Sequence, residues 1–224
     1  DIHFAYEDVI GGALPTWSTS ELAATLTIAV QTLGAEEIVL LGDIIHGSIM
    51  SEGAADAVRG GLAALRKVAR VTLVAGNHEG RSRGAAILGE TVEYAVRDGW
   101  LLLHGDRGAT AAELATHRGV VIGHLHPSLS LGGGASAPAF LSSDRLIVVP
   151  ALTPYSGGLN VLGETCIRAL APFNVSSRRD FEVVAAAGDL LYPFGTLSAL
   201  RHALAVSTPA PRPSRFRRKF LRPD

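Results

Sequence analysis

Four apolar runs in the sequence end on side chains that can bind a metal ion or move a proton. The run VLLGD ends on Asp43, LVAGNH on Asn77 and His78, LLLH on His104, and VVIGHLH on His124 and His126. In an open α/β sheet, the carboxyl ends of the strands border the crevice in which ligands bind. We therefore expect these side chains to meet at one edge of a sheet. Asp1 and His3 join them if residues upstream of Asp1 form a further strand.

The chemical types of these side chains indicate which ions they suit. Imidazole, carboxylate and carboxamide groups without a thiolate favour Mn, Fe, Zn or Ni over a structural zinc site built from cysteines. Seven candidate ligands exceed the needs of one tetrahedral ion. Two ions about 3.5–4 Å apart that share a carboxylate account for the surplus, and such a pair promotes displacement at phosphorus.

Taken singly, each motif is a weak signal. A lone histidine on an apolar strand is more often structural than a ligand, and Gly-Asp or Gly-Asn often marks a turn. The joint order DIH, GDIIH, GNHE, HGD and GHLH favours a metal site, because five spaced matches seldom arise from turn preferences.

Alternating helical and strand patterns position the motifs in the first half of the sequence. Ser18 and Glu21 predict a capping box before the helical run ELAATLTIAVQTLG, which its final glycine ends. The buried strand EIVLLGD, a helix over about residues 53–68 and the strand VTLVAG follow. This order predicts parallel strands joined by a crossover.

After residue 90 the pattern changes to short apolar runs, with one short helix predicted at TAAELATH. The runs are TVEYAV, GWLLLHGD, GVVIGHLHP, RLIVVPAL and FEVVAA. Residues 131–139 and 156–160 are rich in glycine and are interpreted as loops. The second half therefore predicts a mixed sheet region, packed as a second sheet on the first.

The composition bounds the class of protein. The chain has 224 residues, of which 47% are hydrophobic and 18% charged, and this excludes a wholly disordered or fibrous chain. No apolar run approaches the roughly 18 residues of a membrane span, and the first residues lack the pattern of a signal peptide. Cys166 is the single cysteine, so no internal disulfide can form. Together these features predict a cytoplasmic protein.

The charge is distributed unevenly. The net charge is -1, yet residues 211–224 hold six basic residues and one acidic residue, which leaves a net charge of -6 on the rest. We expect one domain over residues 1–210 followed by a basic tail rich in Pro and Arg over 211–224. This tail either grips a phosphate backbone or is a solvated terminus without a partner, and the second outcome is the commoner one for short basic ends.

The five blocks resemble those of the calcineurin-like metallophosphoesterases over roughly residues 1–160. More narrowly, DIHFAYED, GDIIHG, GNHEG, LLHGD, GHLHP and PALTPYSGGLNVLG resemble the bacterial DNA ligase-associated branch. The resemblance implies an α/β fold, a four-layer α/β/β/α metallophosphoesterase sandwich with two mixed sheets. A buried strand normally precedes the first block of that family, and nothing here precedes Asp1, so we expect this N-terminal strand to be missing from the sequence.

The resemblance also implies a role for each residue that matches a family motif. It places Asp1, His3 and His126 on a first divalent ion, Asn77, His104 and His124 on a second, and Asp43 between the two. His78 is the implied catalytic residue, which protonates the leaving oxygen or stabilises charge on the phosphate. The implied cofactor is a pair of divalent ions, with Mn expected first and Fe, Zn, Ni or Mg as alternatives.

Other residues have weaker assignments, each beside a structural alternative. We expect His46 either to orient a metal ligand or contact the substrate phosphate, or to be a structural loop histidine, and Asp106 either to fix the tautomer of His104 or to cap the turn. Arg81 and Arg83 suit a substrate phosphate, and Glu79 is either near the ligands or a surface acid. His117 and His202 fit no motif and are expected to be structural or on the surface.

These observations lead to a function. We expect a dinuclear-metal-dependent phosphoesterase that uses metal-activated hydroxide, acting on phosphodiesters, either small molecules or nucleic-acid ends. The charge of -6 argues against a broad nucleic-acid groove. The branch implies a DNA repair setting with a DNA ligase, a helicase and a nuclease, and no membrane. Two alternatives stay open: a non-catalytic protein-binding scaffold on the same fold, and a phosphomonoesterase or nucleotidase.

Overall fold

The first part of the chain alternates between helices and strands, and the second part consists mostly of strands. The computed structural model describes residues 1–10, 17–47, 49–78, 83–132, 134–153, 155, 157–173 and 180–207. The helices are α1 (Tyr6–Ile10), α2 (Trp17–Leu33), α3 (Glu52–Val68), α4 (Arg83–Leu88), α5 (Ala111–Thr116), α6 (Glu164–Leu170) and α7 (Leu197–Ser207), with a 3-10 turn at Ala171–Phe173. The strands are β1 (Glu37–Leu41), β2 (Arg70–Val74), β3 (Ala95–Arg97), β4 (Trp100–Leu103), β5 (Gly119–Ile122), β6 (Pro127–Gly132), β7 (Ala135–Ser142), β8 (Leu146–Val148), β9 (Leu159–Asn160), β10 (Glu182–Ala187) and β11 (Leu190–Thr196).

The described strands form two sheets. In the smaller sheet β1 and β2 pair in parallel with α3 between them in sequence, which confirms the predicted crossover. The larger sheet is mixed, in the order β11-β10-β7-β8-β5-β4-β3, and β6 pairs with β7 and β9. In the described part of the chain, none of the helices combines the length and apolar character needed to cross a lipid bilayer.

Three apolar clusters hold the layers together. The first packs α2 and α3 against the smaller sheet, with Leu62 and Leu65 fully buried. The second joins the two sheets, since Leu41 and Val74 of the smaller sheet meet Leu102 of the larger one. The third covers the other face of the larger sheet with α6 and α7. This layering confirms the α/β/β/α fold class that the sequence implied.

The starts of the helices differ from the sequence-based expectation in one case. Helix α2 begins at Trp17, so Ser18 lies inside it and the expected Ser18–Glu21 capping box is wrong. The backbone N–H of Ser18 instead donates to Oε1 of Glu7, at 3.1 Å, because the buried carboxylate of α1 supplies the acceptor. The short helix α5 was expected, and it carries a capping box between Thr110 and Glu113.

The segments interpreted as glycine-rich loops contain strands. Residues 135–142 form β7 inside the larger sheet, paired with β10, β8 and β6, and residues 159–160 form β9. Ala139 and Leu141 are fully buried in β7. Alanine, serine and glycine have low strand propensity, and here the tertiary pairing outweighs it. The basic tail expected over 211–224 lies outside the described residues.

Replacing a buried leucine of β7 should destabilise the protein far more than replacing an exposed leucine of β6. We expect Leu141→Ala to lower the free energy of unfolding by about 2–5 kcal/mol, because it removes packed methyl groups and leaves a cavity. Leu131 is 51% exposed, and Leu131→Ala should cost about 0.5 kcal/mol or less. Urea unfolding of both variants measures the difference, and equal losses would contradict the central position of β7.

Candidate metal centre

The loops after four strands carry most of the candidate ligands. Asp43 follows β1, Asn77 and His78 follow β2, His104 follows β4, and His124 and His126 follow β5. The first residues of the chain run beside the loop after β1, because the backbone N–H of His3 donates to the carbonyl oxygen of Asp43, at 2.9 Å. On the other side, the N–H of Leu152 donates to the carbonyl of Asp1, also at 2.9 Å. Both sheets therefore contribute to one site.

The candidate ligands gather in two clusters. Asp1, His3 and His126 present ligand atoms within 4.8 Å of one another, and so do Asp43, His104 and His124. Oδ1 of Asn77 lies 2.9 Å from Nε2 of His104, which adds a carboxamide to the second cluster. The structure thus brings all seven sequence-predicted ligands together in two groups, with Asp43 beside His104 and His124.

The imidazole of His104 is held in one tautomer by a backbone carbonyl. Its Nδ1 lies 2.8 Å from the carbonyl oxygen of Leu41, and since a carbonyl can only accept, Nδ1 carries the hydrogen. The opposite nitrogen, Nε2, lies 3.1 Å from Nδ1 of His124 and 3.4 Å from Oδ2 of Asp43. A fixed tautomer of this kind is typical of histidines that bind metals.

Leu41, rather than Asp106, therefore sets the tautomer of His104. Asp106 is exposed and lines a cavity of about 190 Å³ beside His104, together with Glu93 and Arg107. From this position the charge of Asp106 raises the pKa of His104. Two effects on that pKa are larger: burial lowers it and Asp43 raises it. Asp106 acts on the site through electrostatics.

The carboxylate of Asp43 faces both clusters. Its side chain is almost fully buried, and its Oδ1 accepts the backbone N–H of His78, at 2.9 Å. Burial favours a raised pKa, but the hydrogen bonds from His104 and His78 outweigh it and hold the pKa of Asp43 well below its usual range. Its charge also acts on His3 and His126 of the first cluster. An ionised carboxylate in this position suits an ion on either side.

Burial keeps most of the clustered imidazoles neutral. It lowers the pKa of His3 to about 3 and that of His126 to about 4, and it also lowers the pKa of His124. For His104, burial works in the same direction, but the nearby Asp43 reverses it and the pKa is raised. Neutral imidazoles offer the lone pairs that metal ions require.

The backbone is strained where it presents the ligands. His3, Asp43, His124 and His126 have φ angles of 51°, 44°, 54° and 43°, in the left-handed region that residues other than glycine seldom adopt. Each such residue costs on the order of 1–3 kcal/mol, and such strain concentrates at functional sites. The spacing of the motifs did not indicate this strain.

Two glycines next to ligands leave room for other ligands. A Cβ on Gly42 would lie 2.6 Å from Cγ of His104, and a Cβ on Gly123 would lie 2.5 Å from Oδ2 of Asp1. Both separations are too short for any side chain. The glycines of the Gly-Asp and Gly-His motifs are thus explained by close packing around the site rather than by turn preference alone.

His78 and His46 border the first cluster. Nδ1 of His78 donates to the carbonyl oxygen of His46, at 2.9 Å, so that Nε2 faces Oδ2 of Asp43, at 3.7 Å. Nδ1 of His46 lies 3.0 Å from Nδ1 of His3. The side chain of His78 is 38% exposed. His78 therefore lies beside the clusters with one ring nitrogen directed inward, and His46 orients both His78 and His3.

The remaining candidates lie elsewhere. Arg81, Glu79 and the side chain of Arg83 fall outside the described residues. Nδ1 of His117 lies 2.8 Å from the carbonyl of Glu113 at the end of α5, and His202 is exposed on α7. Both histidines have the structural or surface positions expected from the sequence.

Two tyrosines near the site were missed in the sequence. The ring of Tyr6 lies 4.3 Å from that of His46 and stacks on Tyr155, with 4.9 Å between centroids and 7° between planes. A cavity of about 290 Å³ opens beside His126 and is walled by residues on both sides of Tyr155. The spacing of these tyrosines in DIHFAYED and PALTPYSGG does not indicate a functional role. Only the fold brings the two rings together.

The donors fit a pair of divalent cations. Two carboxylates, four imidazoles and one carboxamide converge from both sheets, and two ring nitrogens face each other at 3.1 Å between His124 and His104. Both of these nitrogens can present a lone pair to a shared cation. The absence of a thiolate from this set suits borderline and hard divalent ions.

Comparison with known proteins places this geometry in context. A model of the calcineurin-like phosphoesterase family matches residues 1–187. Among solved structures, a nuclease MPE from Pseudomonas putida is similar to this chain, with a TM-score of 0.60, 20% identity, and coverage of 87% of this chain and 84% of that chain. At that identity, the likeness concerns the fold. No curated protein sequence matches the chain.

The metal-free protein should lose stability as the pH falls from about 7 to about 5. The unfolded chain protonates its histidines near pH 6.5, whereas folding keeps the pKa of His3 at about 3 and that of His126 at about 4. The unfolded state therefore binds more protons in this window, and the free energy of unfolding falls by at most about 1.4 kcal/mol per pH unit for each imidazole.

Urea unfolding in EDTA at about pH 7, 6 and 5 measures this slope. His3→Asn should make the slope shallower, because the variant lacks one of the two groups. Gln31, exposed on α2, serves as the control, and Gln31→Asn should keep the slope of the unaltered protein because it removes no titratable group. A slope that His3→Asn leaves unchanged would show that this imidazole does not titrate as its burial requires.

Proposed function

Because this chain belongs to the calcineurin-like phosphoesterase family, whose members use a dinuclear divalent metal centre, we propose that it is a phosphodiesterase. The family makes it a metal-dependent phosphoester hydrolase. The observation that carries the finer proposal is the cavity beside His126. Among the described residues, the others that line this cavity are uncharged, for example Ser128, Pro138 and Gly157. A diester carries one negative charge and two organic groups, so an uncharged cavity next to the ligands suits the second group better than a second phosphate charge.

We propose that each cluster holds one ion. Asp1, His3 and His126 hold the first ion and Asn77, His104 and His124 the second, with Asp43 shared. The distances within each cluster and the effect of Asp43 on imidazoles of both clusters support this division. We propose Mn as the resident ion, with Fe, Zn, Ni and Mg as alternatives that the same donors accept. When bound, such a pair lowers the pKa of water and neutralises phosphate oxygens.

His78 is the proposed catalytic residue. Because its Nδ1 hydrogen is donated to the carbonyl of His46, its Nε2 is the nitrogen that can exchange a proton with a bound ester. A protonated ring at this position can donate that proton to the leaving oxygen. The carboxylate of Asp43, 3.7 Å from Nε2, holds the ring of His78 in place. The ring is partly exposed, which leaves room for the leaving group.

The wider setting follows from the motifs. We propose that the chain belongs to the DNA ligase-associated branch and hydrolyses nucleic-acid ends in DNA repair, linked in function to a ligase, a helicase and a nuclease. The protein of similar fold from Pseudomonas putida is a nuclease, which supports this choice. This setting is cytoplasmic. We further propose a single domain over residues 1–210, with 211–224 as a basic tail.

Removing the charge of Asp43 should reduce the number of bound ions. In Asp43→Asn the shared ligand is neutral, and we expect fewer than two Mn ions per chain after equilibration and desalting, where the unaltered protein holds two. Elemental analysis by inductively coupled plasma measures the ratio. Asp189→Asn, in the turn between β10 and β11, should keep two ions, and a ratio of two in Asp43→Asn would rule out the bridging role.

The Mn-loaded protein should hydrolyse bis(p-nitrophenyl) phosphate with a higher kcat/KM than p-nitrophenyl phosphate. We expect His78→Ala to lower kcat for the diester by about 10²–10⁴-fold, the usual contribution of a general acid, and His202→Ala to leave it unchanged. Faster monoester hydrolysis would indicate a phosphomonoesterase or nucleotidase. Bound ions without turnover of either ester would indicate the scaffold.

A further inference from the structure

Four aromatic rings lie in succession from the surface to the metal centre. Tyr155 stacks on Tyr6 with centroids 4.9 Å apart, Tyr6 lies 4.3 Å from His46, and His46 stacks on His78 at 5.1 Å. We call these four residues the aromatic column. Its inner end lies beside Asp43, because Nε2 of His78 is 3.7 Å from that carboxylate.

The outer end of the column is not part of the apolar core. Tyr155 is 46% exposed and Tyr6 is partly exposed, and neither belongs to the three apolar clusters of the described residues. The stacked ring of Tyr6 covers one face of Tyr155, so the opposite face of Tyr155 is the one on which a further planar group can stack. A face of this kind next to a catalytic site is suited to binding a planar group.

The segment that carries Tyr155 also borders the metal centre. Thr153 and Gly157, on either side of Tyr155 in sequence, wall the cavity of about 290 Å³ that includes His126. Thr153 is itself buried, and its Oγ1 accepts the backbone N–H of Tyr155, at 3.4 Å. One segment thus carries both an exposed aromatic ring and two residues that wall a substrate-sized cavity beside His126.

We propose that Tyr155 and Tyr6 form a stacking platform for a nucleobase of a single-stranded nucleic-acid substrate, which rests on the proposed phosphodiesterase function. Each base has an aromatic face, so such a platform is tolerant of sequence. Three ring spacings separate Tyr155 from His78. The stacked base therefore belongs to a nucleotide next to the one whose phosphate reacts, and the platform selects a strand end over a small diester.

The charge of the protein supports stacking as the source of affinity. Proteins that track a phosphate backbone use clustered Lys and Arg, whereas residues 1–210 carry a net charge of -6. Stacking on an aromatic side chain contributes roughly 1–3 kcal/mol per base and needs no positive charge. Stacking on the platform can therefore bind a nucleic-acid strand near the cations although the net charge of the protein is negative.

Fluorescence of 2-aminopurine tests the platform. The probe is a six-nucleotide single strand with phosphorothioate linkages, which slow hydrolysis, and with 2-aminopurine at each position in turn. Binding to the Mn-loaded protein should quench the fluorophore at one or two positions. We expect Tyr155→Ala to raise the dissociation constant about 5- to 100-fold and to remove the quenching. Tyr155→Phe should retain both, because the ring remains.

Two controls separate stacking from a general effect on the fold. Tyr192 on β11 is 45% exposed, and Tyr192→Ala should bind the strand like the unaltered protein. A strand with an abasic site in place of the quenched base should bind the unaltered protein more weakly, and Tyr155→Ala should add no further loss. Equal losses from Tyr155→Ala for the intact and the abasic strand would overturn the platform.

The outcomes also distinguish this proposal from the proposed function. If the protein hydrolyses diesters but Tyr155→Ala binds the strand unchanged, the platform is wrong and the phosphodiesterase stands. If the strand is quenched in a Tyr155-dependent way but no ester is hydrolysed, the platform stands and the phosphodiesterase is wrong. If the unaltered protein binds none of the labelled strands, the platform is likewise wrong.

Discussion

The architecture of the site depends on one buried carboxylate held in its charged form. Asp43 is almost fully buried, and an isolated charge in such a place is costly. The backbone N–H of His78 and the imidazole of His104 offset part of that cost through hydrogen bonds. The surrounding imidazoles of His3 and His126 are neutral because burial lowers their pKa. The centre therefore combines a fixed negative charge with lone pairs on two sides, and positive ions are the natural complement.

The packing of the two sheets brings these groups together. Leu41 and Val74 are buried in the apolar cluster between the sheets, and each is the last residue of its strand, directly before a loop that carries candidate ligands. Leu103 and Ile122 are buried in the larger sheet just before the loops that carry His104 and the following ligands. Apolar burial thus fixes where each strand ends. The left-handed backbone of Asp43 then redirects the chain, and its strain is offset by the packing on either side.

Much of this arrangement can be predicted from the sequence, because it follows from local pattern. Ligands at strand ends, the crossover between β1 and β2 and the fold class depend on apolar runs that end in polar residues. Strand β7 was not predicted, because Ala139 and its neighbours gain their stability from pairing with three other strands. The pairing of Tyr6 with Tyr155 was missed for a similar reason. Contacts between residues so far apart in sequence have no local signal, and the carbonyl of Leu41 that orients His104 has none either.

The most direct measurement of the central claim is an anomalous-scattering map from a crystal of the Mn-loaded protein. Two peaks are expected, one bounded by Asp1, His3 and His126 and the other by Asn77, His104 and His124, with the carboxylate of Asp43 contacting both. A single peak, or peaks away from Asp43, would contradict a dinuclear centre built around this residue.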